Sequence, residues 1–409
     1  MEIIFNGKAI QVMIDRVSDN HGVVFSFASF NAHNHGGPAY GNGFLQKNGF
    51  TAVFFTTKIN CWWQTKEFDE AIEIVNKLTE NIKRRITYGQ SMGGYGALLA
   101  SGLLNSLALV TSPQTNITNK NIPLHPAWKE HISNHPLIRD DVEMQIKKSA
   151  SVIVVYDPAN SIDHKHYSYI ATQPNVHRLI IPFSTHNVPQ CMLEMGILSE
   201  VMVSLLKNDL AAINESRRKI RTKRLLSPTY VTRASRYVLS RKSQLIKKLF
   251  FNALIRSLSN PDFLGCDLSH IREILSSDNY KNNWIKTSLN IDGFSIEGIN
   301  HIDIVDPRFA LFKSTGNDPQ LIVKSQSGAL LKTIAIHINS SVKSTAAIYY
   351  SLKEGARQYN SNQVLVQPVS SGYNKLTFTI PDECNNPEVR FDPLTHEGLF
   401  SITSISLSK

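Results

Sequence analysis

Residues 85–104 (Arg-Ile-Thr-Tyr-Gly-Gln-Ser-Met-Gly-Gly-Tyr-Gly-Ala-Leu-Leu-Ala-Ser-Gly-Leu-Leu) confine the fold of this chain more than any other stretch. A short strand at 85–88 enters Gly89-Gln90-Ser91-Met92-Gly93 and leaves as an apolar, helix-forming run. A strand that turns this sharply into a helix holds its central residue, Ser91, in strained backbone geometry. Glycines at 89 and 93 remove the Cβ atoms that would collide as the chain doubles back. The turn lifts the Ser91 hydroxyl above a sheet edge and aims backbone N–H groups at the same spot. Gly94 and Gly96 allow the new helix to pack closely.

The flanking sequence supplies the sheet. An Asn6-Gly7 turn between 2–5 and 10–16 signals a hairpin. Apolar runs at 23–29 and 51–57 suit buried parallel strands, as do 107–111, 151–156 and 176–181. Phe68, Ile72, Val75 and Leu78 recur near a 3.6-residue period, which predicts an amphipathic helix over 66–80. A closing helix is expected over 190–206. Strands alternating with helices predict an α/β domain over 1–206, built on a parallel sheet with helices on both faces.

The remaining sequence changes character twice. Residues 207–256 hold 14 Lys or Arg against only Asp209 and Glu215, a local net of +12 within a whole-chain charge of +10. The sequence predicts a basic helical linker over 207–290, with Leu245, Leu249, Phe250, Leu254, Ile271, Ile274 and Leu275 as its apolar contacts. Over 291–409 short alternating runs separated by turn residues predict an all-β sandwich.

The length of 409 residues agrees with more than one core, and 42% hydrophobic against 19% charged residues excludes a disordered chain. No apolar run reaches membrane-spanning length, and the first residues lack a basic-then-apolar leader. The four cysteines, Cys61, Cys191, Cys266 and Cys384, form no C-x-x-C pair and read as small buried apolar residues. A reduced, cytoplasmic protein without structural zinc is expected.

A serine hydroxyl needs a base before it can act as a nucleophile. His186 directly follows the last expected strand of the first domain and is the candidate general base. Two acids follow strand 151–156: Asp157 at its tip and Asp163 six residues on. Asp163 lies where a loop can reach the far nitrogen of the histidine and is preferred. Its other reading is a helix N-cap, and Asp157 beside Pro158 suits an Asx-type turn. A tetrahedral oxyanion needs two N–H donors. Met92, after the nucleophile, is one candidate, and Phe30, in the loop after strand 23–29, is the other. His33 and His35 continue that loop with no acid nearby in sequence, so substrate hydrogen bonding is preferred to a metal.

On these residues the first half resembles the α/β-hydrolase superfamily: nucleophile turn, acid and terminal histidine occur in its chain order. Within it, residues 88–97 and Ser112-Pro113-Gln114 resemble serine O-acetyltransferases and esterases associated with bacterial surface-polysaccharide assembly. The brevity of the domain implies no large lid. Ala347-Ile348-Tyr349-Tyr350 and Val389-Arg390-Phe391-Asp392-Pro393 resemble a β-sandwich module similar to carbohydrate-binding jelly rolls. A purely structural sandwich, with Arg390 and Asp392 as an ion pair, is the alternative.

The resemblance implies acyl transfer from acetyl-CoA to a glycan, with no permanently bound cofactor. A simple carboxylesterase or acetylesterase is the runner-up, and a non-catalytic assembly protein with a hydrolase-like fold is the third expectation. Through 207–256 the chain is expected to meet an anionic inner-membrane surface or acidic polysaccharide, unless this is only a solvated face. Nucleic acid is disfavoured because rings are sparse there and no recognition motif occurs.

Overall fold

The chain enters through a hairpin. β1 (Glu2–Asn6) and β2 (Ile10–Asp15) pair antiparallel, and the Gly7 N–H closes the turn onto the Ile10 carbonyl at 2.8 Å. The structure, a computed structural model, describes all residues except 18–20, 33–38, 242, 244–245, 247–249, 251–252, 254–288, 307–309, 353–357 and 408–409. It divides into two compact units, Met1–Lys223 and Arg224–Lys409.

The first unit continues with β3 (Val23–Phe27), β4 (Thr51–Thr57), β5 (Arg85–Gln90), β6 (Leu107–Thr111), β7 (Ser151–Tyr156) and β8 (Val176–Ile180). The sheet order is β1-β2-β4-β3-β5-β6-β7-β8, with the β1–β2 and β2–β4 pairs antiparallel and all later neighbours parallel. Every residue of β3, β4 and β6 is buried, the pattern of strands covered on both faces. Its helices are α1 (Asn42–Lys47), α2 (Glu67–Leu78), α3 (Met92–Leu103), α4 (Pro126–Ser133), α5 (Val142–Lys148), α6 (Ser161–Ile170), α7 (Val188–Glu194), α8 (Leu198–Asn208) and α9 (Ala212–Lys223). Phe68, Ile72 and Val75 of α2 are buried, as their period requires, with Ala71 beside them, while Leu78 in the last turn is 44% exposed. This is the α/β-hydrolase architecture expected from the sequence.

Three expectations shift. The helix expected over 190–206 is two, α7 and α8, because Gly196 adopts φ 69° and stops the first. The Gly196 and Ile197 N–H groups return to Leu193 and Met192 carbonyls, a left-handed C-terminal cap. The first unit runs on past residue 206 through α9, so the start of the basic segment belongs to it. The basic residues of α9 are also less free than their sequence suggests. Arg217 donates to the Arg178 carbonyl, Arg218 pairs with Glu215, and Lys219 pairs with Glu200 of α8. Among the described residues, no single helix is long and apolar enough to cross a membrane.

The second unit begins with α10 (Pro228–Leu239), capped by the Ser227 hydroxyl. Apart from Phe250, the apolar residues expected to build a helical unit, and Cys266, lie outside the described residues. The strands are β9 (Leu289–Ile291), β10 (Phe294–Asn300), β11 (Ile302–Asp306), β12 (Leu311–Ser314), β13 (Gln320–Ser325) and β14 (Thr333–Ser340). They continue as β15 (Ser344–Tyr349), β16 (Val364–Val369), β17 (Gly372–Thr379), β18 (Glu388–Asp392) and β19 (Gly398–Leu407). They form two antiparallel sheets, β16-β15-β18-β13-β10-β9 and β11-β12-β19-β14-β17. Ile296, Val323, Ile348 and Phe391 of the first share one core with Phe312, Ile336, Phe378 and Phe400 of the second. Arg390 bonds both oxygens of Asp392, pairs with Asp318 at 2.7 Å, and lies 4.5 Å over the Tyr349 ring.

Candidate active site

The site grows from the β5–α3 turn. Ser91 has φ 56° and ψ −119°, a conformation L-residues rarely adopt, and its N–H is held by the Thr111 carbonyl at 3.1 Å. A Cβ on Gly89 would lie 2.3 Å from the Gly93 carbonyl oxygen, and one on Gly93 would lie 2.2 Å from that of Phe27. Glycine at 93 therefore lets the first turn of α3 press against the end of β3. That contact brings the Met92 backbone beside the loop carrying Phe30.

The loop is itself pinned. The Ser29 hydroxyl donates to the Gln90 carbonyl at 3.1 Å, and Asn31 and Asn60 exchange hydrogen bonds of 2.9 and 2.8 Å. Asn31 has φ 61°, so these bonds hold a turn the backbone would not choose alone. Among the described residues, neither the Met92 nor the Phe30 N–H has an acceptor. His33 and His35 lie outside the described residues.

The candidate base and acid converge on the serine. His186 Nε2 lies 2.9 Å from Ser91 Oγ, and His186 Nδ1 lies 2.8 Å from Asp163 Oδ1. Asp163 is 2% exposed and His186 30%, so the acid is sealed while the imidazole opens to solvent. Asn160, not Asp163, caps α6: its Oδ1 accepts from the Ile162 and Asp163 N–H groups at 3.1 and 3.3 Å. Asp163 sits in the first turn with its carboxylate free for the imidazole.

Asp157 serves the loop. Its Oδ1 accepts from the Ala159 and Phe183 N–H groups, and its Oδ2 from Thr185, each at 2.9 Å. Phe183 and Thr185 have φ of 61° and 65°, so the carboxylate clamps a strained turn that delivers His186. Burial pushes the Asp157 carboxyl above its ordinary range despite the three donors.

Three further features stand beside the expected site residues. Gln114, 1% exposed, donates from Nε2 to Ser91 Oγ at 2.9 Å. Trp62 and Trp63, with φ of 48° and 61°, direct their indole N–H groups to Gln114 Oε1 at 3.3 Å and the Met92 carbonyl at 3.0 Å. Trp128 of α4 places its ring 5.1 Å from that of His186, with His125 5.6 Å beyond it. On the far side, Phe30 meets His131 of α4 at 5.2 Å and Trp62 at 5.6 Å. The segment between β6 and α5 thus supplies a short helix beside the site instead of a large lid. One turn from Asp163 on α6, His166 accepts from the Thr115 N–H at Nδ1, 3.1 Å. Burial, helped by His186, pushes its pKa down to about 4.

No family model matches the chain, and no curated protein matches it. Among solved structures it is similar to the capsule O-acetyltransferase of Neisseria meningitidis serogroup A, at 15% identity and a TM-score of 0.38 over 50% of this chain and 93% of that one. Est1E from Butyrivibrio proteoclasticus aligns at 14% identity and 0.35, over 54% of this chain and 98% of that one. The Paleococcus ferrophilus monoacylglycerol lipase aligns at 13% and 0.33, over 50% and 98%. The α/β-hydrolase assignment rests on the strand order and the Ser91 turn.

Proposed function

We propose that the chain is a serine acyl-ester enzyme that transfers an acetyl group from acetyl-CoA to a glycan hydroxyl. The observation that carries this reading is the unbroken hydrogen-bond chain from Ser91 through His186 to Asp163, set on a strained turn. In the first half-reaction Ser91 Oγ bonds the donor carbonyl carbon while its proton passes to His186 Nε2. The carbonyl electron pair moves onto oxygen, which the Met92 and Phe30 N–H groups receive. Collapse breaks the carbon–sulfur bond, and His186 returns the proton to the departing thiolate. In the second half-reaction an acceptor hydroxyl gives its proton to His186, attacks the acyl carbon and displaces Ser91 Oγ, which takes that proton back from His186. Asp163 orients the imidazole and stabilises its charged form throughout.

A glycan acceptor is favoured by the resemblance at residues 88–97 and 112–114 and by the wall beside His186. An acceptor oxygen within hydrogen-bond reach of Nε2 brings its ring within reach of Trp128, and aromatic faces suit the apolar face of a sugar. The test is mass spectrometry of candidate oligosaccharides incubated with acetyl-CoA, with Ser91→Ala as control. An acetylated sugar that appears only with Ser91 present supports the reading. Acetate release with no acetylated sugar from any acceptor replaces it with an esterase.

A further inference from the structure

Gln114 stands outside the expected serine, base, acid and backbone donors, yet its side chain touches the reacting atom. Its orientation follows from chemistry. An indole N–H can only donate, so Trp62 Nε1 must face the carbonyl oxygen of the Gln114 amide. The NH2 end is thereby turned to Ser91 Oγ. The amide nitrogen has no lone pair to offer, so the Ser91 hydroxyl must send its own proton elsewhere. The remaining acceptor is His186 Nε2, which leaves Nδ1 protonated toward Asp163. One buried amide therefore fixes the direction of the serine proton and the tautomer of the base.

We propose that Gln114 is a catalytic residue that donates a hydrogen bond to Ser91 Oγ as negative charge gathers there, an inference that rests on Ser91 being the nucleophile. During attack, Oγ loses its proton to His186 while its bond to the acyl carbon is still forming, and the partial charge meets the Gln114 N–H. During deacylation the C–Oγ bond breaks, the electron pair returns to Oγ, and the same N–H receives it until His186 returns the proton. A hydrogen bond to a charged oxygen is worth more than one to a neutral hydroxyl, so the gain falls in the transition states. The amide is buried and held at its far end by Trp62, so little reorganisation accompanies the reaction. The adjacent left-handed Trp62 and Trp63 are backbone strain maintained where the indole N–H groups reach Gln114 and Met92.

Two variants separate donation from packing. Gln114→Met removes the donor and also strands the Trp62 N–H. Gln114→Glu keeps the volume and the acceptor for Trp62 but cannot donate once ionised. The readouts are burst and steady-state turnover of an activated acetyl ester at neutral pH, KM, and the thermal midpoint. Both variants should lose about 10- to 100-fold in kcat, the range for a lost donor to developing charge, with KM changed less than about threefold. Because it buries a carboxylate at a 1% exposed position, Gln114→Glu should melt below the wild type, and its kcat is compared above the pH at which that carboxyl ionises. Either variant within threefold of wild-type kcat overturns the proposal, and activity kept by Glu but lost by Met reduces Gln114 to a support for Trp62. Failure of a fluorophosphonate to label Ser91 in the wild type overturns the nucleophile reading beneath it. A labelled wild type with unimpaired variants overturns this inference alone.

Discussion

Exchanging Asp157 or Asp163 for asparagine separates two carboxylates that lie six positions apart and do different work. Asp163→Asn keeps size and polarity but replaces a pure acceptor with a group that can donate to His186 Nδ1. That favours the tautomer with Nε2 protonated, which cannot take the Ser91 proton. In serine proteases the same exchange costs about ten-thousand-fold in kcat. The Asp163 carboxylate makes one polar contact to a side chain, so thermal stability should move little. Asp157→Asn acts on the backbone. Its remaining oxygen can still accept from Ala159 and Phe183, but the Thr185 N–H then faces an NH2 group. Losing one hydrogen bond to a charged group costs about 1.5–3 kcal/mol, which for a unit of this size is about 3–12 °C in Tm. Because the Asp157 clamp positions His186, kcat should fall about tenfold, far short of the Asp163 loss. The assay is steady-state hydrolysis of an activated acetyl ester with parallel thermal melts. Equal kcat losses, or a larger loss at 157 with Tm unchanged, would refute the division of roles.

Two further outcomes are expected. His166 is neutral in the folded protein down to a pKa of about 4, against 6.5 when exposed. Between those values the unfolded chain binds a proton that the folded one refuses, so stability is present above 6.5 and is lost as pH falls toward 4. The loss from pH 7 to 5 is about 2 kcal/mol, and His166→Asn, which keeps an acceptor for the Thr115 N–H, should flatten that part of the melting profile. An unchanged slope would contradict the buried neutral assignment. Trp128→Ala should raise KM for a glycan acceptor about tenfold, the worth of an aromatic face, while small-ester hydrolysis stays within about threefold. Equal losses on both substrates would show that Trp128 supports His186 instead of the acceptor.

Periodicity and turn chemistry carried the sequence reading furthest where the signal is local. The Ser91 turn, the alternating strands and helices and the hairpin at Asn6-Gly7 all depend on residues a few positions apart. Gly196 belonged to the same readable class, but the apolar pattern runs straight through it and hides the break between α7 and α8. The order of serine, acid and histidine placed Ser91, Asp163 and His186 as candidates, and the three lie in one hydrogen-bond chain. What the sequence could not offer was the surroundings. Gln114, Trp62 and Trp128 lie 23, 52 and 58 residues from their partners, with no period or spacing to mark them. Their place is set by tertiary packing, where donor and acceptor meet only after the sheet has formed. Gln114 lies in the Ser112-Pro113-Gln114 stretch without a role marked for it, and two adjacent tryptophans at 62–63 are a further hint, since buried indoles need acceptors. The charge of α9 shows the converse: a count of acids within the segment missed Glu200, which the α8–α9 reversal brings to Lys219.

The most direct test of the account is to trap the acyl-enzyme. The wild-type protein is mixed briefly with an activated acetyl donor, quenched in acid, digested and analysed by peptide mass spectrometry. One acetyl group is expected on the peptide carrying Ser91, absent from Ser91→Ala and longer-lived in Asp163→Asn once that variant has slowly loaded. Acetyl on another residue, or full turnover by Ser91→Ala, would contradict it.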